Sequence, residues 1–262
     1  MLMKFDVNGT RLSAYVTGQG EPLLFVHGFP LDHHMWEAQV HEFAQTHHVI
    51  AVDLRGFGAS APAEGTTTMQ QFADDCAAVL DALKVEQLVT LCGLSMGGYV
   101  AWQFIERHSD RLARLVLCDT RAIADSAEGA AGRHTMAARV VAEGSDVVAT
   151  AMLPKLFAAR TQRDHPELIE RAKQMIARAS STGIAAALRG MAQRPDVTAR
   201  LPSIRVPTLV IVGQEDAIST VDEMRAVANS IPNAELVVVP DAGHMSPMEN
   251  ANVVNAALRK FL

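Results

Sequence analysis

Short apolar runs that do not alternate with polar residues constrain the fold of this chain most strongly. Six of them, each four or five residues long, are separated by longer segments: Leu23–Val26, Val49–Val52, Leu88–Cys92, Leu115–Cys118, Thr208–Val212 and Leu236–Val239. A strand with one solvated face alternates apolar and polar residues, whereas an unbroken run is typical of a parallel strand covered on both faces. Residues 3–7 and 10–17 predict two further strands, because Asn8-Gly9 between them suits a two-residue hairpin turn.

Helical periodicity fills the segments between these runs. Over residues 69–84 the apolar positions fall on one helical face, and residues 253–261 repeat the pattern. Strands that alternate with helices of about 10–15 residues indicate βαβ units and a doubly wound sheet. We therefore expect an α/β fold with a mostly parallel, eight-stranded sheet flanked by helices.

One long segment breaks this alternation, because no strand signal occurs between about Arg121 and Arg194. Ser145 and Thr182 are candidate N-caps there, Pro166 fits a first helical turn, and Pro154 is expected to end or kink its helix. The pattern predicts four helices, at roughly 126–143, 145–157, 166–180 and 182–192. We expect residues 1–120 and 196–262 to form the core and residues 121–195 to form a helical cap, inserted after the sixth strand.

Composition excludes several classes of protein. The 262 residues carry 23 basic and 29 acidic side chains, which argues against nucleic-acid binding, since that normally needs a basic face. No uncharged apolar run reaches the ~18 residues of a membrane span. The three cysteines form no CxxC pair, so buried reduced thiols are expected. The amino terminus has no signal-peptide pattern, and we expect a cytoplasmic protein.

The segment Gly93-Leu94-Ser95-Met96-Gly97-Gly98 matches G-x-S-x-G. It follows a predicted strand and begins a helical stretch, which is the setting that a nucleophile elbow requires. Such a turn is too tight for large neighbouring side chains, and it places a serine hydroxyl at a helix N-terminus, where developing negative charge is favoured. Ser95 is therefore the candidate nucleophile.

A serine nucleophile needs a base, and the base needs an acid that fixes its tautomer. His244 follows the last predicted strand, in a loop where ligands meet an open α/β sheet. Asp216 follows the preceding strand and is the preferred acid. Glu215 beside it and Asp119, after the strand Leu115–Cys118, remain alternatives.

The tetrahedral intermediate of acyl transfer needs backbone N–H donors. One is expected from Met96, directly after the serine. The other is expected from Phe29, in the loop that follows the strand Leu23–Val26, since Pro30 has no N–H. His27 in the same loop is expected to fix the loop by hydrogen bonding.

Taken together, the motifs resemble those of the α/β-hydrolase-fold serine hydrolases. Five of them occur in the family's order: His27-Gly28-Phe29-Pro30, Asp53-Leu54-Arg55-Gly56-Phe57-Gly58, the Ser95 elbow, Gly213-Gln214-Glu215-Asp216 and Gly243-His244. Within that group the chain is similar to small capped carboxylesterases and enol-lactone hydrolases. The resemblance implies the α/β-hydrolase fold, a triad of Ser95, Asp216 and His244, and cofactor-free acyl transfer.

Other patterns are set aside. The His-Gly-Phe-Pro segment also resembles epoxide hydrolases and haloalkane dehalogenases, but those place aspartate where this chain has Ser95. Gly56–Ala61 imitates a dinucleotide-binding loop without a helix beginning inside it. His41–Gln45 lacks the second histidine of a zinc motif, and we expect no metal.

Five apolar side chains of the cap are expected to line a substrate cavity: Met136, Met152, Leu156, Met175 and Leu188. His33, beside the oxyanion loop, is expected to line it as well. Flexible methionine suits a tolerant apolar cavity. We therefore expect hydrolysis of carboxylic esters with small or medium acyl chains. Enol-lactone hydrolysis, carbon–carbon bond hydrolysis, perhydrolysis and a slowly hydrolysing ligand receptor remain alternatives. The expected partner is a small-molecule ester or lactone, and no oligomeric state is indicated.

Overall fold

A computed structural model describes residues 1–262 of the chain. Its eight strands form one sheet in the order β1-β2-β4-β3-β5-β6-β7-β8. The strands are β1 (Leu2–Val7), β2 (Thr10–Thr17), β3 (Glu21–Val26), β4 (His47–Asp53), β5 (Val89–Leu94), β6 (Leu112–Cys118), β7 (Thr208–Gly213) and β8 (Ala234–Val239). The predicted eight-stranded sheet is therefore confirmed.

Pairing in the sheet is mostly parallel, as predicted. Only β2 runs against its neighbours, β1 and β4, whereas the other five pairings are parallel. The carboxyl ends of β3 to β8 consequently meet at one edge of the sheet. Strand β5 continues to Leu94, two residues beyond the predicted end at Cys92, so that it leads directly into Ser95.

Alternate residues of each central strand enter two separate apolar layers. In β3, Leu24 and Val26 belong to the layer on one face, and Leu23 and Phe25 to the layer on the other. This period of two is that of an extended strand. Burial on both faces explains why the strand sequences are unbroken apolar runs.

Eleven α-helices surround the sheet: α1 (Glu37–Phe43), α2 (Met69–Ala82), α3 (Met96–Arg107), α4 (Ala127–Glu143), α5 (Asp146–Leu156), α6 (Ala159–Asp164), α7 (Pro166–Arg178), α8 (Ser181–Ala192), α9 (Val221–Ser230), α10 (Ser246–Glu249) and α11 (Ala251–Phe261). Short 3-10 helices occupy His33–Trp36, Ser109–Arg111 and Thr198–Ser203. No helix combines the length and the apolarity that crossing a bilayer would require.

Helices α4 to α8 all lie between β6 and β7, so the segment holds five helices rather than the four predicted. The additional one, α6, has only six residues and no apolar periodicity by which it could be recognised. The expectation that Thr182 is an N-cap was wrong, because the Ser180 hydroxyl caps α8 by accepting from the Gly183 N–H. Ser145 stands at the N-cap of α5 without a side-chain capping bond.

The two ends of this helical segment meet, since the Val197 N–H donates to the Ala122 carbonyl at 2.9 Å. Further contacts join the segment to loops of the sheet. The Ser180 N–H donates to the Gly56 carbonyl at 3.1 Å, and Arg178 pairs with the buried Asp32 at 2.8 Å. The helices are thereby fixed over the carboxyl edge loops that follow β3 and β4.

Candidate active site

Ser95 occupies a strained turn between β5 and α3. Its backbone angles, φ 53° and ψ −110°, lie in a region that side-chain-bearing residues rarely adopt. The turn is also crowded: a Cβ atom on Gly93 would lie 2.3 Å from the Gly97 carbonyl oxygen, and one on Gly97 would lie 2.2 Å from that of Val26. These contacts explain the two flanking glycines of the motif.

The loop after β3 lies directly against this turn. A Cβ atom on Gly28 would be 3.5 Å from the Ser95 Cβ, so the next residue, Phe29, begins beside the serine. The Phe29 N–H donates to no protein acceptor. Met96 is the first residue of α3, where an N–H has no partner within the helix. Both expected oxyanion donors are therefore unpaired.

His27 holds the same loop in place from inside the protein. Its Nε2 accepts from the Leu54 N–H at 3.0 Å, so its Nδ1 carries the hydrogen and donates to the Gly28 carbonyl at 2.9 Å. Complete burial lowers the pKa of His27, which keeps the ring neutral. These bonds fix the position of the loop and leave His27 no lone pair for proton transfer.

His244 and Asp216 form a buried pair at the carboxyl ends of β8 and β7. The His244 Nδ1 lies 2.8 Å from the Asp216 Oδ2, and the His244 side chain is only 2% exposed. A carboxylate only accepts hydrogen bonds, so Nδ1 carries a hydrogen, and in the neutral imidazole Nε2 keeps a free lone pair. The Ser95 hydroxyl makes no hydrogen bond to His244, and such bonds are often long before substrate binds.

Asp216 is held as an ionised carboxylate. Its Oδ1 accepts from the backbone N–H groups of Ile218 and Ser219, and its Oδ2 accepts from the Ser219 hydroxyl at 2.6 Å. Burial opposes ionisation, but His244 and these donors outweigh it, and the pKa of Asp216 lies below its usual value. Sequence reasoning missed Ser219. The bond from the Ile218 N–H is the turn that an aspartate typically forms with the backbone two residues on, but nothing in the sequence indicated the Ser219 hydroxyl.

Asp119, the alternative acid, is directed elsewhere. Its Oδ1 accepts from the Gly213 N–H at 2.7 Å and its Oδ2 from the Ser246 hydroxyl at 2.5 Å, so that it joins the end of β7 to the start of α10. It makes no hydrogen bond to His244. Burial and, next in size, the nearby Asp216 carboxylate raise the pKa of Asp119 well above its usual value. Glu215, the other alternative, is exposed.

The five apolar side chains expected to line a cavity are all at least partly buried. Met136 and Met152 are half-buried, and Leu156, Met175 and Leu188 are buried. Met136 and Leu188 belong to the apolar layer of α2 and α3, whereas Leu156 and Met175 belong to the layer on the other face. Met152 contacts both layers.

The surface cavity that His33 lines includes none of these five residues. The His33 Nδ1 contacts the Asp53 carboxylate at 2.8 Å, and the cavity, of about 400 Å³, is also lined by Tyr15 and Thr17 of β2 and residues of α1. Ser95 does not line that cavity.

One cluster of side chains contains residue types that can bind a metal ion. Ligand atoms of Asp32, His33 and His34 lie within 4.8 Å of one another. Each is already paired, however, since Asp32 contacts His34 and the Arg178 guanidinium at 2.8 Å and His33 contacts Asp53. A guanidinium cation on this carboxylate opposes the binding of a second cation.

Comparison with known proteins finds a matching family model and similar solved structures. A family model for the alpha/beta hydrolase fold matches residues 21–251. A thermophilic esterase from Thermogutta terrifontis has 48% identity and a TM-score of 0.96, with 99% of this chain and 97% of that one covered. An enol-lactonase from Burkholderia xenovorans LB400 has 30% identity and a TM-score of 0.92, with 99% of both chains covered.

A curated relative adds to this agreement. The 3-oxoadipate enol-lactonase 1 of Acinetobacter baylyi is 30% identical over 251 residues, which is 95% of this chain and 91% of the relative. The expected fold and the resemblance to esterases and enol-lactone hydrolases are both confirmed. The family match spans most of the chain, including the elbow and both loops that carry the histidine and its carboxylate, and the chain belongs to the α/β-hydrolase family.

Proposed function

We propose that this α/β hydrolase cleaves carboxylic esters of small or medium acyl chains through Ser95, His244 and Asp216. The observation that carries the proposal is the buried Asp216–His244 pair, 2.8 Å long, at the same sheet edge as a strained serine turn. This pair leaves the His244 Nε2 lone pair free to take a proton. The unpaired N–H groups of Phe29 and Met96 supply donors for an oxyanion.

Acylation is the first half of the reaction. The Ser95 Oγ attacks the ester carbonyl carbon while its proton passes to the His244 Nε2. The carbonyl oxygen becomes an oxyanion that accepts from Phe29 and Met96. Asp216 stabilises the imidazolium. Collapse of the intermediate breaks the carbon–oxygen bond, and His244 gives its proton to the departing alcohol.

Deacylation repeats these steps with water. His244 Nε2 takes a proton from water, whose oxygen attacks the acyl carbon of the Ser95 ester. The second oxyanion accepts from the same two N–H groups. The proton on His244 then returns to the Ser95 Oγ as the bond to the acyl group breaks, releasing the carboxylic acid. No cofactor or metal takes part in either half.

The helices between β6 and β7 act as a cap in this proposal. Residues 121–195 would form the cap, and residues 1–120 with 196–262 would form the core. The meeting of the two ends of the segment at Ala122 and Val197 supports this division. We propose that Met152 is one of the cap side chains that contact the acyl chain, since it is half-buried and packs against the apolar layers on both faces of the sheet.

Two observations bear on the substrate class. The 48% identity to an esterase over nearly the whole chain supports ester hydrolysis. Identity of about 30% to two enol-lactonases supports lactone hydrolysis as the second candidate. Both substrates present an acyl carbon bonded to oxygen, so the same triad and oxyanion donors serve both.

A substrate panel separates the candidates. We expect p-nitrophenyl esters from acetate to decanoate to be turned over with an optimum at short or medium chains, faster than an enol-lactone. A higher kcat/KM for the lactone would contradict the ester assignment and favour the second candidate. Cleavage of only a carbon–carbon bond, or peroxide-dependent turnover alone, would contradict both.

A further inference from the structure

The carboxylate of Glu249 joins the loop that carries His244 to the helical segment. Its Oε1 accepts from the backbone N–H groups of Gly243 at 2.8 Å and Met245 at 3.2 Å. Its Oε2 accepts from the Ala158 N–H at 2.8 Å and the Thr161 hydroxyl at 2.6 Å. One oxygen therefore binds the loop, and the other binds the first turn of α6 and the residue before it.

The two donors on the loop side flank His244 in sequence. A carboxylate that accepts from both residues 243 and 245 limits how far the backbone of the histidine between them can move. Packing adds to this restraint, because a Cβ atom on Gly243 would lie 2.7 Å from the Ala158 nitrogen. The Met245 N–H also donates to the Leu156 carbonyl at 3.1 Å.

The carboxylate has no cationic partner of its own. Arg160, the nearest arginine in sequence to its donors, pairs instead with Asp241 at 2.9 Å and with Asp164 at 3.7 Å. Burial raises the pKa of Glu249, and its four hydrogen-bond donors oppose that rise. Both oxygens of a carboxylate accept hydrogen bonds, whereas the amide of glutamine accepts on one side only and would present its own N–H groups to donors on the other.

We infer that Glu249 is a positioning residue, which sets the place of His244 against Ser95 and makes that place depend on the segment Leu156–Thr161. The inference rests on the proposed function, because it takes His244 to be the base. A base displaced by about 1 Å can cost ~10²-fold in rate, so a contact that never touches the substrate can still control turnover.

Glu249→Gln is the direct test, with Gln162→Met as its matched control. Gln162 lies beside Thr161 in α6 and donates to the Pro154 and Phe157 carbonyls, within the helical segment only. We expect Glu249→Gln to lower kcat by ~10²-fold with KM unchanged, because His244 is misplaced while substrate binding is kept. Gln162→Met should keep the wild-type kcat, and Thr161→Val, which removes one donor, should lie between the two.

A readout without substrate separates this inference from the proposed function. A histidine Nδ1 proton bonded to a carboxylate gives a strongly downfield proton NMR resonance, and it reports the His244–Asp216 contact directly. We expect Glu249→Gln to shift or broaden that resonance and Gln162→Met to leave it unchanged. If the wild type hydrolyses no ester or lactone, the proposed function fails and the resonance still decides the positioning role.

Unchanged kcat and an unchanged resonance in Glu249→Gln would overturn the inference. So would equal losses of kcat in Glu249→Gln and Gln162→Met, since the effect would then belong to the helical segment in general. If Glu249→Gln does not fold, as judged by circular dichroism, Thr161→Val carries the test, and a wild-type kcat and resonance in that variant would overturn the inference.

Discussion

Two neighbouring strand ends in this molecule each carry a buried aspartate, and the protein uses them differently. Asp216 after β7 contacts the His244 imidazole at 2.8 Å. Asp119 after β6 contacts a backbone N–H and the Ser246 hydroxyl. Both carboxylates lie at the same edge of the sheet, and both are at most 5% exposed. Burial alone therefore does not distinguish a candidate catalytic acid from a structural one.

The partners of each carboxylate make the difference. Burial works against ionisation at both sites, but His244, the Ser219 hydroxyl and two backbone N–H groups bring the pKa of Asp216 below its usual value. Asp119 has two donors and faces the charge of Asp216, and its pKa is raised. Asp216 is thus suited to stabilise a positive imidazolium, whereas Asp119 is suited to join the end of β7 to the start of α10.

Among substitutions that test this comparison, Asp216→Asn should lower kcat the most. The amide N–H₂ would donate to the His244 Nδ1, which moves the ring hydrogen to Nε2 and removes the lone pair that takes the Ser95 proton. We expect kcat to fall by ~10⁴-fold with the fold retained. Ester hydrolysis and circular dichroism measure the two quantities, and a kcat within tenfold of the wild type would contradict the assignment of Asp216.

Ser219→Ala should have an intermediate effect. The variant removes the hydroxyl that donates to the Asp216 Oδ2 at 2.6 Å but keeps the two backbone donors on Oδ1. A hydrogen bond to a charged group contributes at least ~1.5 kcal/mol, so a roughly tenfold loss of kcat is expected. A loss as large as that of Asp216→Asn would mean that Ser219 has a role beyond supporting the carboxylate.

Asp119→Asn should have the smallest effect on activity. The amide oxygen can still accept from the Gly213 N–H, and its N–H₂ can donate to the Ser246 hydroxyl. We expect most of the wild-type kcat/KM to remain. If kcat/KM falls ~10⁴-fold in this variant and does not fall in Asp216→Asn, the roles of the two aspartates are exchanged.

The same variant gives a pH-dependent prediction for stability. An acid whose pKa is raised by folding contributes stability that is complete below its unfolded pKa of about 4 and is lost as the pH rises through the folded pKa. Asparagine cannot ionise and avoids this loss. The free energy of unfolding of Asp119→Asn relative to the wild type should therefore increase from pH 5 to pH 8 in urea titrations. A constant difference would contradict the raised pKa.

The local sequence determines the turn that carries Ser95 more completely than it determines the contact between His244 and its aspartate. Strand, tight turn and helix follow one another around Ser95, and the small residues that the turn requires are visible as Gly93 and Gly97. The existence of the six strands β3 to β8 followed in the same way from their unbroken apolar runs. These features depend on neighbours in the chain, which is why the sequence could predict them.

Contacts between distant residues could not be read in this way. Whether Asp216 or Asp119 contacts His244 depends on how the loops after β6, β7 and β8 meet, and no spacing in the sequence encodes that. Two of the four bonds on Glu249 are of the same kind, since the donors Ala158 and Thr161 lie about ninety residues from their acceptor. The helix α6 was missed for a local reason, because it is short and has no apolar periodicity.

Turnover of p-nitrophenyl esters by the wild type and by Ser95→Ala, over acyl chains from acetate to decanoate, tests the central claim most directly. We predict a burst and steady turnover in the wild type, with an optimum at short or medium chains. In Ser95→Ala both should be lost while the circular dichroism spectrum stays unchanged. Equal turnover in the two proteins, or none in the correctly folded wild type, would contradict an esterase that uses Ser95 as its nucleophile.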